Sequence, residues 1–179
     1  IYEYCDVLRL KSCTDYRFRE LEKSKVYFIH DNKTTKSSLE EIFNGLLSPN
    51  EEFFESTHLV IQNRKILAYR YSHNTVWFSF RELCDGPRSH NDYIQIAKEY
   101  QTVIIENIPE LTEDRENMTR RFISLVDEFY DRNVKLIVSA EKPIHKLYSG
   151  RDLIFEFERT RSRLVEMQSK EYLSNPRTP

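Results

Sequence analysis

Three arginines, Arg159, Arg161 and Arg163, follow the stretch FEFE at 155–158 near the end of the chain. FEFE alternates like a strand and the residues after it have helical spacing, so the sequence predicts a strand running into a helix. A helix N-terminus attracts anions through its free N–H groups, and guanidinium groups fit phosphate or carboxylate. The cluster indicates a site for phosphate or an acidic partner. The alternative is pairing with neighbouring glutamates, which composition favours.

Three further arginines, in two parts of the chain, raise the same alternatives. Arg120 and Arg121 lie on a predicted helix, where Arg120 can pair with Glu116 four residues back. The functional alternative is an arginine that reaches across an interface to stabilise phosphate charge. Arg88 lies in CDGPRSHND at 84–92, which could form a backbone nest for an anion. For Arg120, spacing favours the pair with Glu116 on the same helix. For Arg88, spacing favours a tight turn before a helix N-cap.

Ser139 and Glu141 stand at the end of VKLIVSA, a predicted parallel strand at 134–140. Ligands of open α/β sheets bind at the carboxyl ends of the strands, so these residues are candidates for a binding site. An ordinary strand exit explains them equally well. Glu106 interrupts the apolar strand TVIIENI at 102–108, but no second acid stands beside it.

Composition indicates a folded globular protein in which any anion site is local. Of the 179 residues, 39% are hydrophobic and 31% charged, which excludes a disordered chain. The net charge of −2 combines 27 basic with 29 acidic residues, so no basic field favours nucleic acid. The three cysteines form no CxxC pair and the five histidines are scattered, which disfavours a metal site. No apolar run approaches the ~18 residues of a membrane span.

Glycine is scarce, with Gly45, Gly86 and Gly150 the three in the sequence. Neither GxxxxGK[ST] nor GxGxxG occurs, so the chain has no glycine-rich phosphate loop. Because the chain starts at Ile1 inside a stretch typical of an α/β element, we expect a fragment or a processed chain.

The first part of the chain predicts two short strands and one helix. The strands are expected at 7–10 and 26–29, and a capping-box pattern predicts a helix start near Ser37 or Ser38. Three strands with turn-like connections at 58–80 then predict a small antiparallel meander.

A polar break follows the meander, and Ser89, Asn91 or Asp92 is expected to cap a short helix after it. The strand–helix–strand pattern at 102–140 predicts a βαβ unit with a parallel strand pair. The predicted fold class is therefore α/β.

The stretches at 78–94, 120–148 and 155–173 also carry a family resemblance. FSFRELCDGPRSHNDYI, RRFISLVDEFYDRNVKLIVSAEKPIHKLY and FEFERTRSRLVEMQSKEYL resemble the C-terminal half of the ZapE family. The upstream DYRFREL at 15–21 is similar too, and the resemblance runs from about residue 6 to 173. These are P-loop ATPases of the AAA+ type, linked in bacteria to the cell-division ring; mitochondrial relatives serve protein quality control.

The resemblance implies a P-loop-type sheet with flanking helices, with ATP and Mg²⁺ as ligands. Residues 1–173 would form the C-terminal portion of an AAA+-like ATPase module, with a disordered tail at 174–179. Within it, 1–50 would end the nucleotide-binding core and 57–173 would form the C-terminal α/β part. The Walker A and Walker B motifs of the family would lie upstream of this chain. We therefore expect the chain alone to be inactive, with neither ATP nor Mg²⁺ bound.

The resemblance also implies a function and partners. The chain would complete an ATP-hydrolysing protein of cell division or protein quality control. It would contact the upstream ATPase half, division-ring or other proteins, or further copies of itself. A cytoplasmic bacterial location is expected, with a mitochondrial one as the alternative. By analogy with AAA+ arginines that sense nucleotide, the candidates are Arg88, Arg120, Arg121, Ser139, Glu141, Arg159, Arg161 and Arg163.

Two other function classes stay open. One is a non-catalytic interaction domain whose arginines bind acidic segments of partner proteins. The other is a nucleic-acid-binding module that combines the arginines with exposed aromatic residues, which the balanced charge disfavours.

Overall fold

One six-stranded sheet organises the part of the chain that the structure describes. The computed structural model describes Leu21 and residues 25–29 and 34–178. Its strands are β1 (Tyr27–Ile29), β2 (Phe54–Ile61), β3 (Arg64–Tyr71), β4 (Thr75–Ser79), β5 (Thr102–Ile108) and β6 (Lys135–Ala140). They are ordered β1-β6-β5-β4-β3-β2. The first four in this order are parallel, and β3 and β2 continue the sheet as an antiparallel hairpin.

Helices cover the sheet and confirm the α/β prediction. They are α1 (Thr34–Gly45), α2 (Phe80–Cys84), α3 (His90–Glu99), α4 (Glu116–Asp131), α5 (Ile154–Glu166) and α6 (Lys170–Ser174). Two 3₁₀ turns lie at Glu113–Arg115 and Ile144–Lys146. The mostly parallel sheet with flanking helices is consistent with the predicted P-loop-type fold.

The βαβ unit predicted at 102–140 is confirmed by β5, α4 and β6. The two strands pair in parallel, with Val103 opposite Leu136. Helix α4 buries an apolar stripe at helical spacing, which packs against the sheet. The stripe consists of Phe122, Leu125, Val126 and Phe129.

The central strands are apolar throughout because both of their faces are covered. Successive side chains of a strand point to opposite faces. Thus Phe78 and Ile105 join the cluster beneath α3, α4 and α5, whereas Trp77 and Ile104 join the cluster beneath α1. One hydrophobic core therefore lies on each side of the sheet.

The antiparallel strands predicted at 58–80 are confirmed, although they are part of the main sheet. The first begins at Phe54, and β4 pairs in parallel with β5. Strand β4 ends at Ser79. The Ser79 hydroxyl accepts a hydrogen bond from the Glu82 N–H and caps α2. The polar break predicted after Phe80 is wrong over its first residues, because Phe80, Leu83 and Cys84 are buried at helical spacing.

The strand predicted at FEFE is wrong, because α5 begins at Ile154. The alternation in FEFE is not a burial pattern, since Phe155 is 89% exposed and Phe157 is buried. The inward positions are Phe157, Thr160 and Leu164, which repeat at intervals of three and four. The three arginines therefore lie in the body and last turns of a helix rather than at its start.

Of four smaller expectations, the described residues test three. The strand expected at 26–29 is confirmed by β1, whereas the one expected at 7–10 lies outside the described residues. The helix start near Ser37 or Ser38 is wrong, since α1 begins at Thr34. Ser89 is the N-cap of α3, as one of the predicted alternatives has it.

The end of the chain lies against the domain through residue 178, although the sequence predicts a disordered tail there. Arg177 donates to the Lys98 carbonyl at 2.7 Å, and the Thr178 N–H donates to the Arg132 carbonyl at 2.9 Å. Inside the domain, Lys135 Nζ reaches the Asn175 carbonyl at 2.6 Å. The Lys135 contact holds the end of α6 beside β6, and the other two hold the tail against α3 and the end of α4.

Candidate functional site

The carboxyl ends of β1, β4, β5 and β6 meet at one edge of the sheet, as their parallel order requires. Ser139 and Glu141 lie there, where the sequence places them. The Ser139 hydroxyl is buried and accepts from the Asn107 N–H at 3.0 Å. Glu141 is exposed and accepts from the Glu110 N–H at 2.8 Å. Both residues tie the loop after β5 to the end of β6.

Lys36 and Glu106 add a pair of opposite charges to this edge. Lys36 lies in the first turn of α1, with its Nζ 4.8 Å from the centroid of the Tyr69 ring. A hydrogen bond to Tyr69 raises the pKa of Lys36, and the charge of Glu106 raises it further. Glu106 stands opposite Ser79 across β4 and β5. The edge thus carries a protonated amine at a helix start beside an acid at a strand end.

The sequence analysis missed Lys36, although a signal for it exists. A phosphate loop ends in Gly-Lys-[ST] between a strand and a helix. Thr35, Lys36 and Ser37 open α1 after β1, with threonine in the glycine position. Without that glycine the stretch does not match the phosphate-loop signature.

Arg159 and Arg163 join α5 to α4. Both pair with the carboxylate of Asp127 on α4. Arg163 also lies 3.4 Å from Asp131 and over the ring of Tyr130, with its Cζ 4.8 Å from the ring centroid. The internal pairing weighed in the sequence analysis is thus present, but with acids on another helix.

Arg161 makes a different kind of contact from its two neighbours. It pairs with Glu158 one turn earlier on the same helix, and both side chains are partly exposed. Local pairs of this kind contribute little to stability and exchange readily with solvent. Arg161 also lines a groove between α5 and the 3₁₀ turn at 144–146, together with His145 and Val165.

Arg120 and Arg121 occupy different environments on α4. Arg120 pairs with Glu116, which confirms the spacing argument. Arg121 donates to the Cys84 carbonyl at 3.1 Å and so links α4 to the end of α2. Cys84 itself is buried, and burial raises the pKa of its thiol, so it lacks the thiolate that a nucleophile needs.

Arg88 stabilises the loop that contains it. Its Nε donates to the Glu82 carbonyl at 2.8 Å, and its Nη2 donates to the Lys65 carbonyl at 3.2 Å. The sequence analysis did not predict the ion pair near Arg88, in which Arg64 Nη2 donates to Asp92 at 2.6 Å. Asp92 is fully buried and also accepts from the Ser89 N–H at 2.6 Å. The CDGPRSHND loop is therefore a turn and a helix cap fastened to the β2–β3 hairpin.

The described residues do not fit a complete site for a magnesium-bound triphosphate. None of the chain's glycines lies at the start of α1, so the backbone cannot wrap phosphates in the usual way. Within residues 21, 25–29 and 34–178, no group of three or more His, Cys, Asp or Glu side chains is placed to hold a metal ion. Lys36 and Glu106 alone do not make up such a site.

A comparison of the whole sequence with protein families shows which family the chain belongs to. The AFG1-like ATPase model matches residues 1–176. The chain belongs to the AFG1-like ATPase family. This finding agrees with the resemblance carried by the stretches at 78–94, 120–148 and 155–173.

Individual relatives of the family extend the comparison. The cell division protein ZapE of Escherichia coli is 39% identical over 173 residues, which cover 97% of this chain and 46% of the relative. Lactation elevated protein 1 homolog B of Danio rerio is 28% identical over 203 residues, covering 95% of this chain and 40% of the relative. The chain thus spans less than half the length of these curated relatives. No solved structure matches it.

A membrane-spanning helix would need both length and continuous apolar character. None of the helices in the described ranges has that combination.

Proposed function

We propose that the chain is the C-terminal part of an ATP-hydrolysing protein, in which it completes the ATPase module and contacts protein partners. The observation that carries the proposal is the match of the AFG1-like ATPase family over residues 1–176. The similarity to a cell division protein of Escherichia coli supports cell division as the process served by the whole protein.

The proposal assigns the cradle for ATP and Mg²⁺ to the part of the protein upstream of this chain. Phosphoryl transfer depends on positioning the phosphates and neutralising their charge, which a glycine-rich loop and its metal ion supply. Lys36 and Glu106 provide charge at one sheet edge but no such loop. This chain would therefore contribute supporting residues to a nucleotide site rather than the site itself.

Arg120 and Arg161 are the arginines best placed to contribute, among those predicted from the sequence. Each pairs with a glutamate one turn away on its own helix, and each side chain is substantially exposed. Such local pairs can open at small cost when a phosphate or an acidic partner approaches. In contrast, Arg88 and Arg121 donate to backbone carbonyls, and Arg163 is held between two helices.

The partner contacts in the proposal are supported by the outer face of α5. Ile154, Phe155 and Val165 are large apolar side chains exposed on this helix, and Arg161 lies between them in sequence. Exposed apolar side chains grouped on one surface are typical of protein–protein contact sites. An interaction role without nucleotide contact would use the same face.

The test compares ATP hydrolysis by this chain alone with hydrolysis by the whole protein that contains it. We expect hydrolysis in the whole protein and none in the isolated chain. Hydrolysis by the isolated chain would contradict the assignment of the phosphate cradle to the upstream part.

Three variants of the whole protein separate the two roles of the arginines. Arg120→Ala and Arg161→Ala remove the candidates, and Arg151→Ala is the control because Arg151 is exposed outside these helices. An arginine that stabilises phosphate charge is worth about a thousandfold or more in turnover. If both candidate variants keep full hydrolysis, neither arginine faces the nucleotide, and only the partner-contact role stands.

A further inference from the structure

A second candidate site lies at the end of the sheet opposite the Lys36–Glu106 edge. Here an open cleft of about 640 Å³ is formed where β2 begins, β3 ends and α3 ends. The residues at 71–73 and 99–100 that line it come just before β4 and β5 start, so the cleft is at the amino ends of the parallel strands. None of the residues predicted from the sequence as site candidates lines this cleft.

The charged side chains of the cleft are acidic. Glu51, Glu52 and Glu99 line it, and among the residues that the structure describes no lysine or arginine does. The position of Glu51 is fixed, because its carboxylate accepts from the Ser48 N–H at 2.8 Å and from the His73 N–H at 3.2 Å. The cleft therefore presents a negative potential, which favours a cation.

Aromatic rings form another part of the wall. Phe54 and Tyr71 are stacked, with their centroids 5.1 Å apart and their planes 21° apart. Tyr100 also lines the cleft and is buried; burial raises the pKa of its hydroxyl and the charge of Glu99 raises it further. Ring faces attract cations, and a flat guanidinium group stacks on them better than a compact ammonium group does.

A buried hydroxyl supplies an independent indication of a missing partner. Ser72 lines the cleft with 3% of its surface exposed. Its Oγ is buried and has no hydrogen-bond partner among the described residues. Buried polar atoms in proteins are nearly always paired, so an unpaired one needs an explanation. A ligand that donates hydrogen bonds would satisfy it.

We propose that this cleft binds an arginine side chain of an extended segment from a partner protein. The guanidinium group meets all three requirements: it is cationic, it is flat, and it carries five N–H donors. The extended form of the segment follows from β2, which pairs with β3 and is the outermost described strand on that side. An added strand along this edge would pass the cleft where β2 begins at Phe54.

The experiment measures binding of the intact 179-residue chain to a fluorescent peptide by anisotropy. The peptide, Gly-Ser-Val-Arg-Val-Ser-Gly, is compared with versions that carry citrulline or lysine in place of arginine. Citrulline has the shape of arginine without its charge. We expect the arginine peptide to bind about tenfold more tightly than the citrulline peptide, with lysine between them. N-acetylarginine amide alone should bind more weakly than the peptide.

Variants of the chain locate the binding. Glu99→Gln removes a charge from an exposed side chain, and Tyr71→Leu removes one ring of the stacked pair. Each variant should bind the arginine peptide about fivefold or more weakly than the natural chain does. Glu113→Gln, which changes an exposed acid elsewhere, should bind it as the natural chain does. Equal binding of arginine and citrulline peptides, or unchanged binding in Glu99→Gln, would overturn the proposal. Equal binding of the free amide and the peptide would overturn the extended-segment part.

Discussion

Arg163 on α5 is held between Asp127 and Tyr130 of α4: it pairs with the carboxylate and lies over the ring, 4.8 Å from the centroid. The position also suits the helix dipole, because Arg163 is in the last turn of α5, where a positive charge is favourable. The arginine-rich stretch is therefore chiefly a connection between two helices. Arg161, whose partner is on its own helix, is the member left for contacts outside the chain.

The first prediction is that replacing Arg163 lowers the free energy of unfolding more than replacing Arg161 does. Arg163→Ala should lower the free energy of unfolding by about 1–2 kcal/mol, because an ion pair and a cation–ring contact are lost together. Arg161→Ala should change it by less than about 0.5 kcal/mol, since its pair is local and exposed. Urea unfolding of the three proteins measures the difference. Equal losses in the two variants would show that Arg163 does not connect the helices energetically.

The sequence was sufficient for elements whose burial pattern is regular over many residues. The βαβ unit at 102–140 was predictable because α4 buries a continuous stripe and its flanking strands are buried on both faces. The prediction of a strand at FEFE was wrong for the opposite reason. Its alternation is too short to distinguish a strand from one helical turn, and the burial of Phe157 depends on contacts with Tyr148 in another segment.

The candidate site was less predictable because its contacts join residues far apart in the chain. Arg163 was assigned to nearby glutamates, yet its partner Asp127 lies 36 residues away. The partner of Asp92 is Arg64, on a strand 28 residues earlier. Spacing identifies partners on one helix, as for Arg120 and Glu116, but it cannot identify partners brought together by packing.

The second prediction tests the buried pair between Arg64 and Asp92. Asp92→Ala removes both the partner of Arg64 and the N3 carboxylate of the α3 capping box, so we expect a loss of about 2–4 kcal/mol in the free energy of unfolding. Asp85→Ala is the control, because Asp85 forms an exposed pair with Arg81 on the same turn. It should cost less than about 0.5 kcal/mol, with urea unfolding as the measurement for both variants. A loss in Asp92→Ala no larger than the control's would contradict the assignment.

The third prediction concerns Gly150, which lies close to the side chain of Tyr148. A Cβ at Gly150 would come within 2.5 Å of the Tyr148 hydroxyl and 2.7 Å of its ring. That hydroxyl accepts from the Leu153 N–H at 3.0 Å, and the ring stacks on Phe157, so it is not free to move away.

We therefore expect Gly150→Ala to destabilise the protein by about 1–3 kcal/mol, measured as a fall in the urea midpoint. Gly86→Ala is the matched control, because a Cβ there would meet nothing within 4 Å. If Gly150→Ala is as stable as Gly86→Ala, then the Tyr148 ring moves aside without cost.

The fourth prediction follows from a lysine buried between β6 and α6. Lys135 is 3% exposed, and its Nζ donates to the Tyr172 carbonyl at 2.8 Å and the Asn175 carbonyl at 2.6 Å. Burial lowers the pKa of Lys135 from 10.5 to about 8. In the folded protein the amine therefore loses its proton near pH 8, whereas in the unfolded chain it keeps the proton until near pH 10.5.

Between these two values the unfolded chain binds more protons, so the contribution of Lys135 to the free energy of unfolding rises with pH. The rise approaches about 1.4 kcal/mol per pH unit for one group. The measurement is denaturant unfolding of the natural chain and Lys135→Met at several values from pH 7.5 to pH 9.5, below the ordinary pKa of 10.0 for tyrosine. The natural chain should gain stability relative to Lys135→Met across this range, and Lys146→Met, which changes an exposed lysine, should follow the natural chain. Parallel curves for the natural chain and Lys135→Met would show that the Lys135 amine has the same pKa in the folded and unfolded states.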